Sequence, residues 1–371
     1  MPEGRASVLP VSLGIICWSL GTALLGGLLL LAWSRMVKRW KRGMDVSDDT
    51  DYAATLTTLS EASVRRHFNP YTDIDWNAPE LSITKNDPRW VLTTTDPLGL
   101  HPWYQAQPMD KQIAIGMWRQ ANSAKVSLQL ESILIRGLMY YTFWVPNGSP
   151  EYRYCLHESI EECNHTMMFQ ELVNRIGVDV PGMPRWLRWI SPAIPLYAGP
   201  LPGTFFFGVL AGELPIHNTQ KNMLRDRSAL HPIMEKVMAI HVAEEARHIS
   251  FADQFLSKRV PRMTRCSRFT LSLYVPVVMR ALCQGIVVPP HKFFREFDIP
   301  RSLRKELYFN APGSRKALRD MYGDVRMLCD EVGLMNPVAT LVWRICKING
   351  HPSRYRGEPQ RAHLPSSANA A

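Results

Sequence analysis

Two stretches of this chain repeat one arrangement of acidic and imidazole groups. The first reads Glu158-Ser-Ile-Glu161-Glu162-Cys-Asn-His165 and the second His241-Val-Ala-Glu244-Glu245-Ala-Arg-His248. Each holds a Glu-x-x-His and each lies in a long segment of helical hydrophobic periodicity. Residues three apart on a helix share a face, so Glu162 and His165 can bind one ion together, as can Glu245 and His248. His241 lies four residues before Glu245 and joins that face. Two further segments place one carboxylate each among apolar residues. Glu131 shares a stripe with Leu128, Leu134, Ile135 and Leu138, and Glu213 with Phe206, Val209, Leu210 and Ile216. An unpaired carboxylate on such a face is costly or takes up a proton. A shared metal site removes that problem for all of these groups at once.

The order along the chain is Glu, Glu-x-x-His, Glu, Glu-x-x-His, on four long helices. That is the ligand order of carboxylate-bridged di-metal bundles of the ferritin-like type. The predicted fold is therefore all-α: a ferritin-like four-helix bundle with additional helices. The donors are carboxylates and imidazoles with no thiolate, which suits iron or manganese better than copper or structural zinc. Glu161 and Glu244 lie four residues before a histidine, and the three-residue offset singles out Glu162 and Glu245 instead. Glu158 shares the stripe of Glu162, either as a group supporting the ligands or as a carboxylate that moves onto the metal. Arg247 is expected to pair with a neighbouring carboxylate. His157 and His217 read as surface or core histidines.

The four helical segments run over about 110–144, 150–176, 203–227 and 232–258. A fifth covers about 262–286, and shorter ones fill 300–347. Residues 51–67 read as a short amphipathic helix, and 68–108, rich in Pro, Asp, Thr and Trp, as an ordered covering loop. The predicted helical domain spans 51–347, and 348–371 reads as a disordered tail because it is rich in Pro, Ser, Arg and Ala.

No charged residue occurs from Ala6 to Ser34, a run long enough to cross about 30 Å of hydrocarbon. The basic cluster Arg35, Lys38, Arg39, Lys41 and Arg42 follows it. A secretory signal would carry its basic residues first and end at an A-x-A site, and neither feature is present. Residues 1–34 are thus read as a single transmembrane helix and 35–50 as a basic linker. The positive-inside rule puts the large domain on the cytoplasmic side. The net charge of +10 is divided between this cluster and Lys258–Arg268, with no zinc-finger spacing and no basic–aromatic pattern, which argues against nucleic acid. Seven scattered cysteines without a CxxC make neither a disulfide framework nor a thiolate site, and they fit a reducing compartment.

The stretches Glu162-Cys-Asn-His165-Thr-Met-Met-Phe169 and His241-Val-Ala-Glu-Glu245-Ala-Arg-His248-Ile-Ser-Phe251, with Glu131 and Glu213 at suitable distances, resemble the p-aminobenzoate N-oxygenase family of di-iron proteins. The similarity covers roughly residues 50–340 and leaves out the N-terminal segment. A third histidine, here His241, is part of the resemblance. It implies that Glu131, Glu162, His165, Glu213, His241, Glu245 and His248 are the ligands of two irons. It also implies that the reduced centre takes up O2 as a peroxo-diferric species and oxygenates a small molecule, in the best-known members an aromatic amine. The chain has no GxGxxG fingerprint and no iron–sulfur cysteine set, so electrons would come from a separate reductase. Two other functions fit part of the pattern. One is a hydroxylase or desaturase of a lipid-like molecule, motivated by the anchor and by Phe205-Phe206-Phe207 near Glu213. The other is a metal-binding bundle without turnover, against which the nitrogen-rich site argues. The expected partners are a small-molecule substrate, a reductase, the membrane and, in a homodimer, a second copy of the chain.

Overall fold

Apolar residues recurring every three to four positions wind the chain into helices, and a proline or a capping side chain starts most of the long ones. The computed structural model describes residues 49–225 and 230–358. The expected membrane helix, most of the linker and the end of the tail lie outside the described residues. Among the described residues there is no strand. The helices are α1 (Thr50–Arg65), α2 (Pro102–Gln105), α3 (Met109–Thr142), α4 (Pro150–Ile176), α5 (Arg185–Ile190), α6 (Pro202–Arg225), α7 (Pro232–Arg259) and α8 (Arg265–Val287). Five shorter ones follow: α9 (His291–Glu296), α10 (Arg301–Lys305), α11 (Pro312–Asp320), α12 (Gly323–Glu331) and α13 (Pro337–Ile345).

Local chemistry explains the ends of the central helices. Ser149 caps α4 by accepting from the Tyr152 N–H, Pro150 occupies the first turn, and Gly177 ends the helix at φ 70°. His231 caps α7 through its ring nitrogen, followed by Pro232. The four long helices close a ring: α3 packs on α4, α4 on α7, α7 on α6 and α6 on α3. α1 covers the outer side of α4, and α8 lies along α6. At one end of the bundle the buried Glu151 accepts from Tyr52 (3.1 Å), Tyr141 (2.9 Å) and Arg259 (2.5 Å). These bonds tie α1, α3, α4 and α7 together.

The segment 68–108 contains α2 and two 3-10 turns, and it buries Trp76, Trp90, Leu98 and Tyr104 in the core shared with α3 and α7. The tail begins later than composition predicts. Ile348 is fully buried, and the Arg326 guanidinium donates to the carbonyls of Ile348 (2.8 Å) and His351. Arg356 pairs with Asp253 of α7. One buried arginine capturing backbone carbonyls orders residues 348–358, and a composition argument cannot see that. The stretch Arg265–Glu296 is long and apolar enough to cross a membrane, with 39% of its most apolar window buried. One side of α8 packs lengthwise on α6, as a bundle helix does.

Candidate metal centre

The helix ring puts Glu131 on α3, Glu162 and His165 on α4, Glu213 on α6, and His241, Glu245 and His248 on α7. Three sets of donor atoms gather there: Glu162, His165, Glu245 and His248; Glu131, His165 and His241; and Glu213, His241 and Glu245. Within each set the atoms lie within 4.8 Å of one another. The sets share members, and together they contain all seven groups singled out from the sequence.

Each imidazole has one nitrogen turned inward and the other held by a neighbour. His165 directs Nε2 to Glu244 (2.9 Å) and leaves Nδ1 toward Glu162 (3.2 Å). His248 directs Nε2 to Glu161 (2.8 Å) and Nδ1 toward Glu162 (2.6 Å). His241 places Nδ1 at Gln220 Oε1 (2.7 Å) and Nε2 toward Glu131 (3.3 Å) and Glu245 (3.5 Å). An oxygen acceptor on the outer nitrogen places the proton there and leaves the inward lone pair free for a metal. Glu161 and Glu244 thus each cross to the histidine of the opposite helix. Arg247 bridges them, at 2.8 Å from Glu161 and 3.4 Å from Glu244. The backbone N–H of Phe68, in the covering segment, donates to Glu244 (3.2 Å).

The site was tested for fit to a metal pair. Seven carboxyl groups, Glu131, Glu158, Glu161, Glu162, Glu213, Glu244 and Glu245, are at most 2% exposed. Arg247 is the guanidinium among them. Glu131 Oε2, Glu162 Oε1, Glu213 Oε2, both Glu245 oxygens and His248 Nδ1 have no hydrogen-bond partner. Glu162 Oε1 and His248 Nδ1 are only 2.6 Å apart yet lack hydrogen-bond geometry. Buried lone pairs facing one another are costly unless a cation stands among them. The residues fit a di-iron centre.

The electrostatics agree. Burial, then the Glu162 and Glu213 charges, push the Glu131 carboxyl well above the usual range. Burial, then Glu245 and Glu162, do the same to Glu213. Burial acts upward on Glu162 too, but His248 and His165 outweigh it and hold Glu162 well below. The histidines divide. Burial lowers His165, but Glu162 and Glu244 raise it to about 9. Burial and the His165 charge push His241 down to about 3. Imidazolium charge stands where the carboxylates converge, and divalent cations would supply that charge instead.

Glu158 lies on the same face, fully buried, with neither oxygen hydrogen-bonded. His157 is partly exposed. His217 is buried with Nδ1 unpartnered, and it lines a polar cleft with Lys221 and Arg356, away from the seven groups. Gln220 is the residue the sequence reading missed. It lies seven positions after Glu213, two turns along one face, and that spacing was the available signal.

The comparisons agree with this geometry. The family described as P-aminobenzoate N-oxygenase AurF matches residues 49–333. Two uncharacterized mycobacterial proteins, from Mycobacterium bovis and Mycobacterium tuberculosis, are each 69% identical over 334 residues, covering 90% of this chain and 98% of the relative. The match takes in all four bundle helices and every group of the cluster, and the chain belongs to the p-aminobenzoate N-oxygenase AurF family of ferritin-like di-iron oxygenases.

Proposed function

We propose that this chain is an O2-dependent di-iron oxygenase, with Glu131, Glu162, His165, Glu213, His241, Glu245 and His248 as the ligands of two irons. The observation that carries the reading is the buried cluster itself, in which inward lone pairs of four carboxylates and three imidazoles converge. Two irons held there would supply electrons to O2 and deliver oxygen to a bound molecule. The protein's part is positional. Glu161 and Glu244 hold the outer N–H groups of His248 and His165, and Arg247 holds both carboxylates. Gln220 fixes the tautomer of His241. The surrounding apolar core excludes water from a site that must not leak protons or reactive oxygen. Electrons come from a separate reductase, and membrane attachment with the domain on the cytoplasmic side belongs to the same proposal.

N-oxygenation of an aromatic amine is the first reading of the chemistry, supported by the family's name. A second reading, hydroxylation or desaturation of a lipid-like molecule, is favoured by the walls of the cavity that reaches Glu213. Its lining is Leu, Ile, Val, Phe, Trp, Ala and Gly, with Thr204, Tyr197 and Tyr274 the other polar residues. Iron-replete protein should hold about two irons per chain. Supplied with reductant, O2 and either arylamines or fatty acids, it should consume O2 and release one oxygenated product class. One zinc per chain, or iron uptake with no product from either class, would sink the oxygenase reading; manganese in place of iron would correct the metal.

A further inference from the structure

What reaches the centre can be read from the cavity beside it, and this inference rests on the oxygenase reading. The cavity holds about 280 Å³ and lies between α3, α5, α6 and α8. Glu213 is the one charged residue in its lining. Gly208 and Gly212 sit one turn apart on α6 and form the wall next to Glu213. A side chain begun at Gly208 would meet nothing within 4 Å. Glycine is a poor helix former, so its use in mid-helix, facing open space, keeps the cavity clear.

The mouth of the cavity is apolar at the surface. Trp186, Ile190, Tyr197 and Val277 line it and are 40–51% exposed. Trp189, beside them on α5, is 85% exposed. Large apolar side chains gathered around an opening mark a contact surface. α5 reads Arg-Trp-Leu-Arg-Trp-Ile. Leu187 is buried against Val126, Leu130 and Ile216, while both tryptophans are exposed. Arg185 and Arg188 are exposed and make no ion pair among the described residues. Trp and Arg on a surface helix suit a lipid interface, with rings at headgroup depth and guanidinium groups on phosphates. A second copy suits this face poorly. No acidic residue occurs between Asp179 and Glu213 or anywhere in α8, so a two-fold contact would set basic groups against basic groups. The uncharged run Ala6–Ser34 and the basic cluster after it point to the same surroundings from another part of the chain.

We propose that α5 and the exposed side of α8 rest on an anionic membrane surface, and that the cavity takes the hydrocarbon part of a membrane-dissolved substrate and brings it to Glu213. The test uses the full chain in vesicles containing phosphatidylglycerol and a diazirine fatty acid. After illumination, labelled peptides are mapped by mass spectrometry. Label is expected on Thr204–Glu213 of α6, on Tyr274–Leu282 of α8 and around Trp186–Trp189. Gly208→Phe fills the cavity and should lower the α6 and α8 label about tenfold or more, since excluding two methylene groups suffices for that. It should leave the α5 label, the iron content and the helical signal in place. Gly208→Leu, a smaller plug, repeats the test should the ring disturb folding. Trp186→Ser with Trp189→Ser should lower label at all three places. Label confined to α5, label indifferent to either plug, or protein cross-links from α5 to residues 6–34 or to a second copy in place of lipid would overturn the proposal. Iron in the same sample separates the two readings: label without iron supports the cavity and refutes the oxygenase, and iron without label does the reverse.

Discussion

The two histidine-bearing halves of the centre, one on α4 and one on α7, match position by position until one turn before the metal-facing glutamate. Glu161, Glu162 and His165 correspond to Glu244, Glu245 and His248. The correspondence is reciprocal in space, because Glu161 holds His248 while Glu244 holds His165. At the next position back the halves part. α7 has His241, its outer nitrogen held by Gln220 and its inner one facing Glu131. α4 has Glu158, buried and without a hydrogen-bond partner on either oxygen. A duplicated motif thus builds the symmetric frame, and one unmatched pair of residues makes the two metal positions chemically different. The difference teaches that the frame's job is to hold metal, and that any job specific to this family falls on the unmatched pair.

The largest effect should come from breaking the frame. Glu162→Ala and Glu245→Ala remove equivalent carboxylates, and each should take iron from about two per chain to near none. Metal analysis after iron-replete expression reads this. If one variant keeps both irons, the halves are not equivalent and the correspondence fails at its centre.

Next come the carboxylates that cross between helices. Glu161→Ala and Glu244→Ala each free one histidine ring to rotate and should weaken metal binding about 10- to 100-fold. Chelator competition measures the change. The reciprocal geometry predicts similar losses, so a large effect of one with none of the other would mean that Arg247, which leans closer to Glu161, carries the asymmetry.

How much of this was legible beforehand follows from which contacts are local. Period and spacing place four helices and seven inward groups, because each of those facts lies within one helix. Glu161 and Glu244 could not be assigned from sequence. Offsets of three and four both land on the metal-facing side, and only the packing of α4 on α7 shows that these carboxylates serve the other helix. Gln220 escaped for the same reason, although its seven-residue spacing from Glu213 was visible. The cavity mouth was hidden in a proline-punctuated stretch that composition describes as a linker between helices. Its arginines and tryptophans acquire meaning only when Leu187 pins them beside α8.

A subtler test concerns protons. In the metal-free protein His165 is raised to about 9 and His241 is lowered to about 3, so at neutral pH the first is charged and the second is not. Metal binding must then expel a proton from His165 and none from His241. Affinity should rise with pH up to about 9. In the metal-free state the sign is opposite. The stability that His165 contributes is fully present below its unfolded value near 6.5 and is lost as pH rises through about 9. Calorimetry in buffers of different ionisation enthalpy should show about one fewer proton released by His165→Gln and an unchanged count for His241→Gln. Equal changes in both variants would erase the contrast.

The smallest effect is expected at Glu158. Burial pushes its carboxyl well above the usual range, and although His248 pulls it down, Glu162 and Glu245 push the same way as burial. Glu158 is therefore neutral at pH 7 in the metal-free protein, and Glu158→Gln replaces one neutral planar group with another of similar volume. Metal-free stability should change by no more than about 1 kcal/mol, as for other near-isosteric changes that leave no new charge buried. Glu158→Ala, which opens space against Tyr154 and the α7 face, should cost more, about 1–3 kcal/mol in the same denaturation experiment. The loaded protein separates the two roles open to this residue. A supporting group leaves metal content and chelator resistance unchanged in Glu158→Gln. A carboxylate that moves onto the metal does not, because an amide has no charge to offer, and chelator resistance then falls toward the value of the Glu161→Ala variant. The second outcome would make Glu158 the counterpart of His241 in function as well as in position, and the two halves would differ in the kind of donor they add.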